Sequence, residues 1–160
     1  MSDRPQSPVI TIAGPLGGQG ALCAAILADL PDYFALPDSN AAYARAADEL
    51  PCFVGSVDGR PSGLVVLKQT SDVAMELHLI CVLRAWHRVG LGGALVRAAE
   101  AHLREQGVRW LHVKTLGPGH PDEGYSQTRA FYMAMGFEPI EEIPSVWGPE
   151  NPCLILVKRL

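Results

Sequence analysis

The clearest hydrophobic pattern in the chain lies in its middle. From Met75, the residues Met75, Leu77, Leu79 and Cys81 alternate with Glu76, His78, Ile80 and Val82, a period of two that predicts a strand. A polar, glycine-containing stretch follows. Leu91, Ala94, Leu95, Ala98 and Leu103 then recur at a period near 3.6, which predicts an amphipathic helix. Gly107 stands where a left-handed residue would end that helix, and Trp110 to Thr115 reads as the next strand. Strand, helix, strand in this order makes a right-handed parallel crossover.

The flanks read by the same rules. Val9 to Ala13 is a first strand, and Gly14 to Gly20 is a turn. Ala21 to Leu30 is a helix stopped by Pro31, and Asp38 or Ser39 caps a second helix running to about Leu50. Cys52 to Val57 is a strand, and Asp58-Gly59 is a hairpin signal leading into a strand from about Ser62 to Lys68. Thr70-Ser71-Asp72 turns into the central strand. Beyond Thr115, Leu116 to about Gly124 is a long polar loop, and Gln127 to Met135 is a short helix ended by Gly136. Phe137 to about Ile143 and Cys153 to Lys158 complete the strands; the last is apolar enough to be buried on both faces.

Composition sets bounds on this picture. The 160 residues suit one domain, with residues 1–8 loose, and 48% hydrophobic with 19% charged residues describes an ordinary soluble globule. No membrane span or apolar signal core is visible, so a cytoplasmic protein is expected. A net charge of −4 argues against general nucleic-acid binding. Cys23, Cys52, Cys81 and Cys153 are scattered, form no C-x-x-C pair, and read as buried reduced thiols. Oligomeric state is not readable, and a homodimer stays open.

The acidic total makes one region stand out. From Leu77 to Ala99 there is no Asp or Glu, while Arg84, Arg88 and Arg97 are present. Gly90, Gly92 and Gly93 sit at the predicted helix start, where unpaired N–H groups and the helix dipole favour an anion such as phosphate. The same glycines would also serve tight helix–strand packing. A P-loop is excluded because Gly-Lys-Ser/Thr is absent, and a dinucleotide fingerprint because Leu95 occupies the third glycine position.

The run around His87, Gly90 and Gly92 resembles motif A of the GNAT acyltransferase superfamily, Gln/Arg-x-x-Gly-x-Gly/Ala, with His87 in place of Gln or Arg. A second stretch, Thr128 to Phe137, resembles the later family motif Ala-x-x-x-Tyr-x-x-x-Gly-Phe, with Thr128 for Ala and Tyr125 where Asn is frequent. The resemblance covers roughly Cys52 to Leu160. It implies the α/β GNAT acyltransferase fold: a mixed central sheet of about six to seven strands, flanked by about four helices, with a parallel central strand pair. It also implies acetyl-CoA as co-substrate, its pyrophosphate held by the loop of His87, Arg88, Val89, Gly90, Gly92 and Gly93. The backbone of Cys81 and Val82 would meet the pantetheine arm, with Val82 N–H as an oxyanion donor. The implied acceptor is a small-molecule or peptide amine. A non-catalytic acyl-CoA sensor or partner-binding domain with the same fold is the alternative.

Acetyl transfer to an amine needs a base, an oxyanion donor and a proton for the leaving thiolate. Glu76, fourteen positions before Gly90, has the offset of the family's catalytic carboxylate. Apolar neighbours should raise its pKa by desolvation. His78, on the same strand face, is the rival base or a water-chain partner. Tyr132 is the expected acid, with Phe131, about 100° away on the helix, assigned to the core. A Cys81 nucleophile is disfavoured because His78 points to the opposite face. His120, Asp122 and Glu123 are read as substrate-selecting loop residues, with no metal expected. Arg129 is open between the cofactor's phosphates and the loop.

Overall fold

A computed structural model describes residues 6–160. The elements are β1 (Ile10–Leu16), α1 (Gly20–Ala28), α2 (Pro37–Glu49), β2 (Cys52–Val57), β3 (Arg60–Ser71), β4 (Ala74–Val82), a single 3-10 turn (Arg84–Trp86), α3 (Leu91–Glu105), β5 (Trp110–Leu116), α4 (Glu123–Ala134), β6 (Glu138–Ile143) and β7 (Cys153–Arg159). The strands form one seven-stranded sheet in the order β1-β2-β3-β4-β5-β7-β6. β4 and β5 pair in parallel, as the crossover requires, while β5–β7 and β6–β7 are antiparallel. This is a mixed α/β architecture with the parallel central strand pair that the resemblance implies. The loose start expected for residues 1–8 lies mostly outside the described residues; Gln6 to Pro8 are exposed. Among the described residues, no helix is long and apolar enough to cross a membrane.

The chain divides into two compact units, Met1–Val65 with Ile80–Leu95 and Val66–Leu79 with Val96–Leu160. In the first unit, β1 runs further than expected, to Leu16, through an irregularity after Ala13. Gly14 lies in it, and a Cβ there would stand 2.6 Å from the Phe53 ring and 2.8 Å from the Cys52 carbonyl, so only glycine fits. α1 is pinned by its Gly20 N–H donating to Asp48 Oδ1 (2.7 Å), and it buries Cys23, Ile26 and Leu27. α2 starts earlier than expected. Neither Asp38 nor Ser39 caps it: Leu36 is the cap residue and Pro37 opens the helix, since the proline ring pre-sets φ and lacks the N–H that a cap would satisfy. Asp38 instead lies in the first turn, where the dipole favours it. Asp58 and Gly59 both have positive φ (49° and 80°), the conformation that the hairpin signal demands.

In the second unit, α3 ends as expected at Gly107 (φ 77°), and Val108 N–H donates back to Leu103 O (3.0 Å). The inward face of α3 differs from the expected stripe. Val96, Ala99, Glu100 and Leu103 are buried, while Ala94 and Ala98 are only half-buried. Glu100 is 3% exposed. Lys158 Nζ donates to its Oε1 (2.7 Å), and Arg104 reaches its Oε2 (3.4 Å). The same Lys158 ammonium donates to Met135 O (2.7 Å) just past α4. α4 begins at Glu123, four residues before the expected Gln127, because Asp122 caps it by accepting from Gly124 N–H (2.8 Å). The polar loop shrinks accordingly to 117–122.

Candidate active site

The glycine stretch folds as a tight turn. Trp86 N–H donates to Leu83 O and His87 N–H to Arg84 O; Arg88 and Gly90 then take positive φ (63° and 92°). The first helical bond of α3 runs from Ala94 N–H to Gly90 O (3.0 Å), so the amides before Ala94 have no carbonyl within the helix. No acid lies in the first turn of α3. A Cβ built on Gly90 would meet nothing within 4 Å, and His87, Arg88, Val89 and Gly90 are exposed, with Gly92 and Gly93 half-buried. An open, acid-free helix start of this kind fits a phosphate group.

Two expected members of this stretch have other partners. Arg84 does not add free positive charge: its guanidinium pairs with Asp32 and its N–H donates to Asp29 Oδ2 (2.7 Å). That guanidinium holds the Asp32 carboxyl below its usual range. His87 Nε2 lies 2.7 Å from the Val82 carbonyl, so this ring nitrogen carries its proton and donates it. The Cys81 thiol is 3% exposed, and its contact with the Cys23 thiol together with burial pushes it far above the ordinary thiol value. It is unfit as a nucleophile, and only its backbone stays a candidate contact.

The titratable cluster lies in the second unit. The register Glu76↔His112 is the last described pair of β4 and β5, although both strands run on, to Val82 and Leu116. Glu76 is therefore placed where the parallel pairing ends. Its side chain is 8% exposed, and its Oε1 stands 3.7 Å from both His78 Nδ1 and Lys114 Nζ. The expectation of a raised pKa is overturned. His78 holds the Glu76 carboxyl below the ordinary value and outweighs the upward push of burial, with Lys114 and His112 adding to the lowering.

Opposite Glu76, His112 Nε2 lies 2.8 Å from Thr70 Oγ1, and that hydroxyl also donates to Ala74 O (3.2 Å). The single hydroxyl proton is thus spent on the carbonyl, and His112 must donate from Nε2. Burial lowers the His112 pKa, which favours the neutral ring. Thr70, His112 and Lys114 were missed in the sequence. The signal was present, since His112 and Lys114 alternate with buried Leu111 and Val113 along β5 and so share one face.

On α4, burial does not divide the neighbours as expected. Tyr132 is 5% exposed, its ring against Phe137 (5.7 Å, edge-on) and Phe131 (5.4 Å), while Phe131 is only half-buried. The helical wheel separated the two residues but could not say which one faced inward. Arg129 meets the loop's start, donating from Nη1 to Leu116 O (2.8 Å). His120 and Asp122 serve local structure: Asp122 N–H donates to His120 Nδ1 (3.2 Å), and the His120 ring lies edge-on to Tyr125.

The model of the acetyltransferase (GNAT) family matches residues 23–137. Solved structures share the fold across almost the whole chain. A GNAT-family protein from Desulfovibrio desulfuricans has a TM-score of 0.82 at 18% identity, covering 94% of this chain and 99% of its own. The ribosomal-protein-S18-alanine N-acetyltransferase of Escherichia coli has a TM-score of 0.71 at 20% identity, covering 94% of each chain. A GNAT acetyltransferase from Elizabethkingia anophelis, solved with acetyl-CoA bound, has a TM-score of 0.67 at 16% identity, covering 94% and 98%. The comparison with curated proteins finds no match.

Proposed function

Since the chain belongs to the GNAT acetyltransferase family, we propose that it is an acetyl-CoA-dependent N-acetyltransferase. It acts by direct transfer in a ternary complex to a primary amine of a small molecule or peptide. The observation that carries this reading is the Glu76–His78 pair, a buried carboxylate beside an imidazole on the central strand. An alkylammonium has a pKa near ~10.4, so the acceptor must lose a proton before its nitrogen can attack. A carboxylate and an imidazole side by side supply that function.

The rest of the reaction is assigned as follows. The turn of His87, Arg88, Val89 and Gly90, with Gly92 and Gly93, receives the cofactor's pyrophosphate on backbone N–H groups. The backbone of Cys81 and Val82 meets the pantetheine arm, and Val82 N–H steadies the oxyanion. The amine nitrogen bonds to the thioester carbonyl carbon and the carbon–sulfur bond breaks. Tyr132 gives a proton to the departing sulfur and is reprotonated by the proton that the new amide nitrogen sheds. The sum is ammonium plus acetyl-CoA giving amide, free CoA and one proton. The acetyl-CoA-bound structural neighbour supports this donor, and a cytoplasmic location goes with it.

The test is acceptor-dependent release of free thiol from acetyl-CoA over a panel of amines, polyamines, amino acids, aminoglycosides and N-terminal peptides. Binding without release from any acceptor would favour the sensor reading. Acetyl-CoA should also raise the melting temperature by linkage. Gly92→Val should abolish that rise, because its side chain would intrude on the phosphate; parental CoA affinity in this variant would refute the loop assignment.

A further inference from the structure

We propose that the acceptor is a free α-amino acid, with Glu76 receiving its ammonium and Lys114 its carboxylate. This inference rests on the N-acetyltransferase reading above and names the substrate class of that site. Three observations lead to it.

The first is the face on which these groups lie. Lys114 pairs with Ile155 and His112 with Val157 across β5 and β7, and Glu76 pairs with His112 across β4 and β5. Directly paired residues share a face, as do residues two apart on one strand, so Glu76, His112, Lys114, Ile155 and Val157 lie together. This face is open: the Lys114 side chain is 37% exposed, and Ile155 and Val157 are half-buried. The opposite face is closed, because Lys158 there reaches Glu100 of α3, and Leu111, Val113 and Leu156 are buried. All of these residues belong to the second unit.

The second is charge. Glu76 is held ionised, and Lys114 Nζ supplies one positive charge 3.7 Å from its Oε1. Burial favours the neutral form of His112, which donates to Thr70, and burial pushes the Cys153 thiol up. A simple amine would bring an uncompensated positive charge to this partly buried pair, at a cost in desolvation. An amino acid is a zwitterion and brings one charge of each sign.

The third is spacing. The Glu76–Lys114 pair is longer than a hydrogen bond, so neither charge is saturated by the other. Lys114 makes no hydrogen bond among the described residues. In an α-amino acid the nitrogen and the carboxylate oxygens are about 3 Å apart by standard bond lengths and angles. Its two charges therefore match the two protein charges and close a ring in which the signs alternate. A polyamine, an aminoglycoside or a peptide N-terminus has no carboxylate at that distance and leaves the ring open.

In the balanced step, the α-nitrogen loses a proton and bonds to the thioester carbonyl carbon, and the carbon–sulfur bond breaks. The products are an N-acetyl amino acid, free CoA and one proton. The new amide has no charge to hold against Glu76, while the product's carboxylate still faces it. That change favours product release.

The test compares matched acceptors on the whole protein. Free L-amino acids, their carboxamides and the corresponding decarboxylated amines are each assayed for thiol release from acetyl-CoA. Rates are compared per unprotonated amine, since the amine of a carboxamide is less basic. The best amino acid should exceed its carboxamide in kcat/KM by about 10²-fold, the effect of a lost hydrogen bond between charged groups. In Lys114→Met that ratio should fall to near one, mainly through KM, and Lys114→Arg should restore most of it. Calorimetry of the same amino acid with the CoA-loaded protein reads binding without turnover, and Lys114→Met should weaken it by a similar factor.

Equal kcat/KM for acid and carboxamide in the parent, a ratio that survives in Lys114→Met, or turnover of another amine but of no amino acid would each overturn the assignment. Lys114-dependent binding with no thiol release from any acceptor would support the carboxylate site and sink the N-acetyltransferase reading instead. Absence of both binding and release would overturn both.

Discussion

Two glutamates of the same compact unit, Glu76 and Glu100, are both buried, at 6% and 3% exposure, and each faces a lysine. They differ in how tightly. Lys158 is 2.7 Å from Glu100 Oε1 and Arg104 takes Oε2, so both oxygens are held by cations and Lys158 also secures the end of α4. At Glu76, Lys114 and His78 stand 3.7 Å from one oxygen, outside hydrogen-bond length. The first carboxylate is bound into a joint between α3, β7 and α4. The second keeps its charge and retains capacity for a further partner. Burial alone therefore does not mark a functional acid; the distance to its partners does.

The sharpest way to break this contrast is Glu100→Ala. It leaves the Lys158 ammonium without its carboxylate, and should cost about 3 kcal/mol of stability in urea unfolding. Replacing both partners, Glu100→Leu with Lys158→Met, should recover much of that loss. A Glu100→Ala protein as stable as its parent would dissolve the distinction. Glu76→Gln should do the reverse, lowering kcat by about 10²-fold while leaving the melting temperature nearly unchanged. A large melting shift in this variant would make Glu76 a second structural joint.

Tyr132→Phe probes the helix that Lys158 secures. Without the hydroxyl, kcat should fall about tenfold, below the usual range for a general acid because a thiolate leaves with little help. The loss should shrink with a donor whose thiol is more acidic. An equal loss with every donor would point to positioning instead. The smallest effect is in acid unfolding. Glu76 has a lower pKa folded than unfolded, so its contribution is complete above the ordinary glutamate value of 4.5 and is lost as pH falls through the lowered one. Urea midpoints from about pH 7 to about pH 3 should therefore fall less steeply in Glu76→Gln than in the parent. Parallel slopes would mean that the carboxylate gains nothing from His78 and Lys114.

Much of the fold was legible because its signals are local. The alternation of Met75 to Val82, the paired positive-φ residues Asp58 and Gly59, and Gly107 as helix stop each act within a few residues. The misplaced boundaries had competing local signals. Pro37 pre-empted Asp38 and Ser39, and Asp122 captured the start of α4 ahead of Gln127. Arg84 looked like part of a basic island only because Asp29 and Asp32, more than fifty positions away, are silent until the chain folds.

By itself, the sequence determined the strand–turn–helix that presents Gly90 and Gly92, because backbone periodicity and glycine conformation are properties of neighbouring residues. It also determined that Glu76 and His78 share a face, since alternation along one strand requires it. Only the tertiary structure decided that Lys114 and His112 join them, that Glu76 has a lowered rather than a raised pKa, and that Tyr132 rather than Phe131 turns inward. These depend on which strand lies beside which and on distances of a few ångströms between charges. Electrostatic energy varies with those distances, and no local pattern in the chain encodes them.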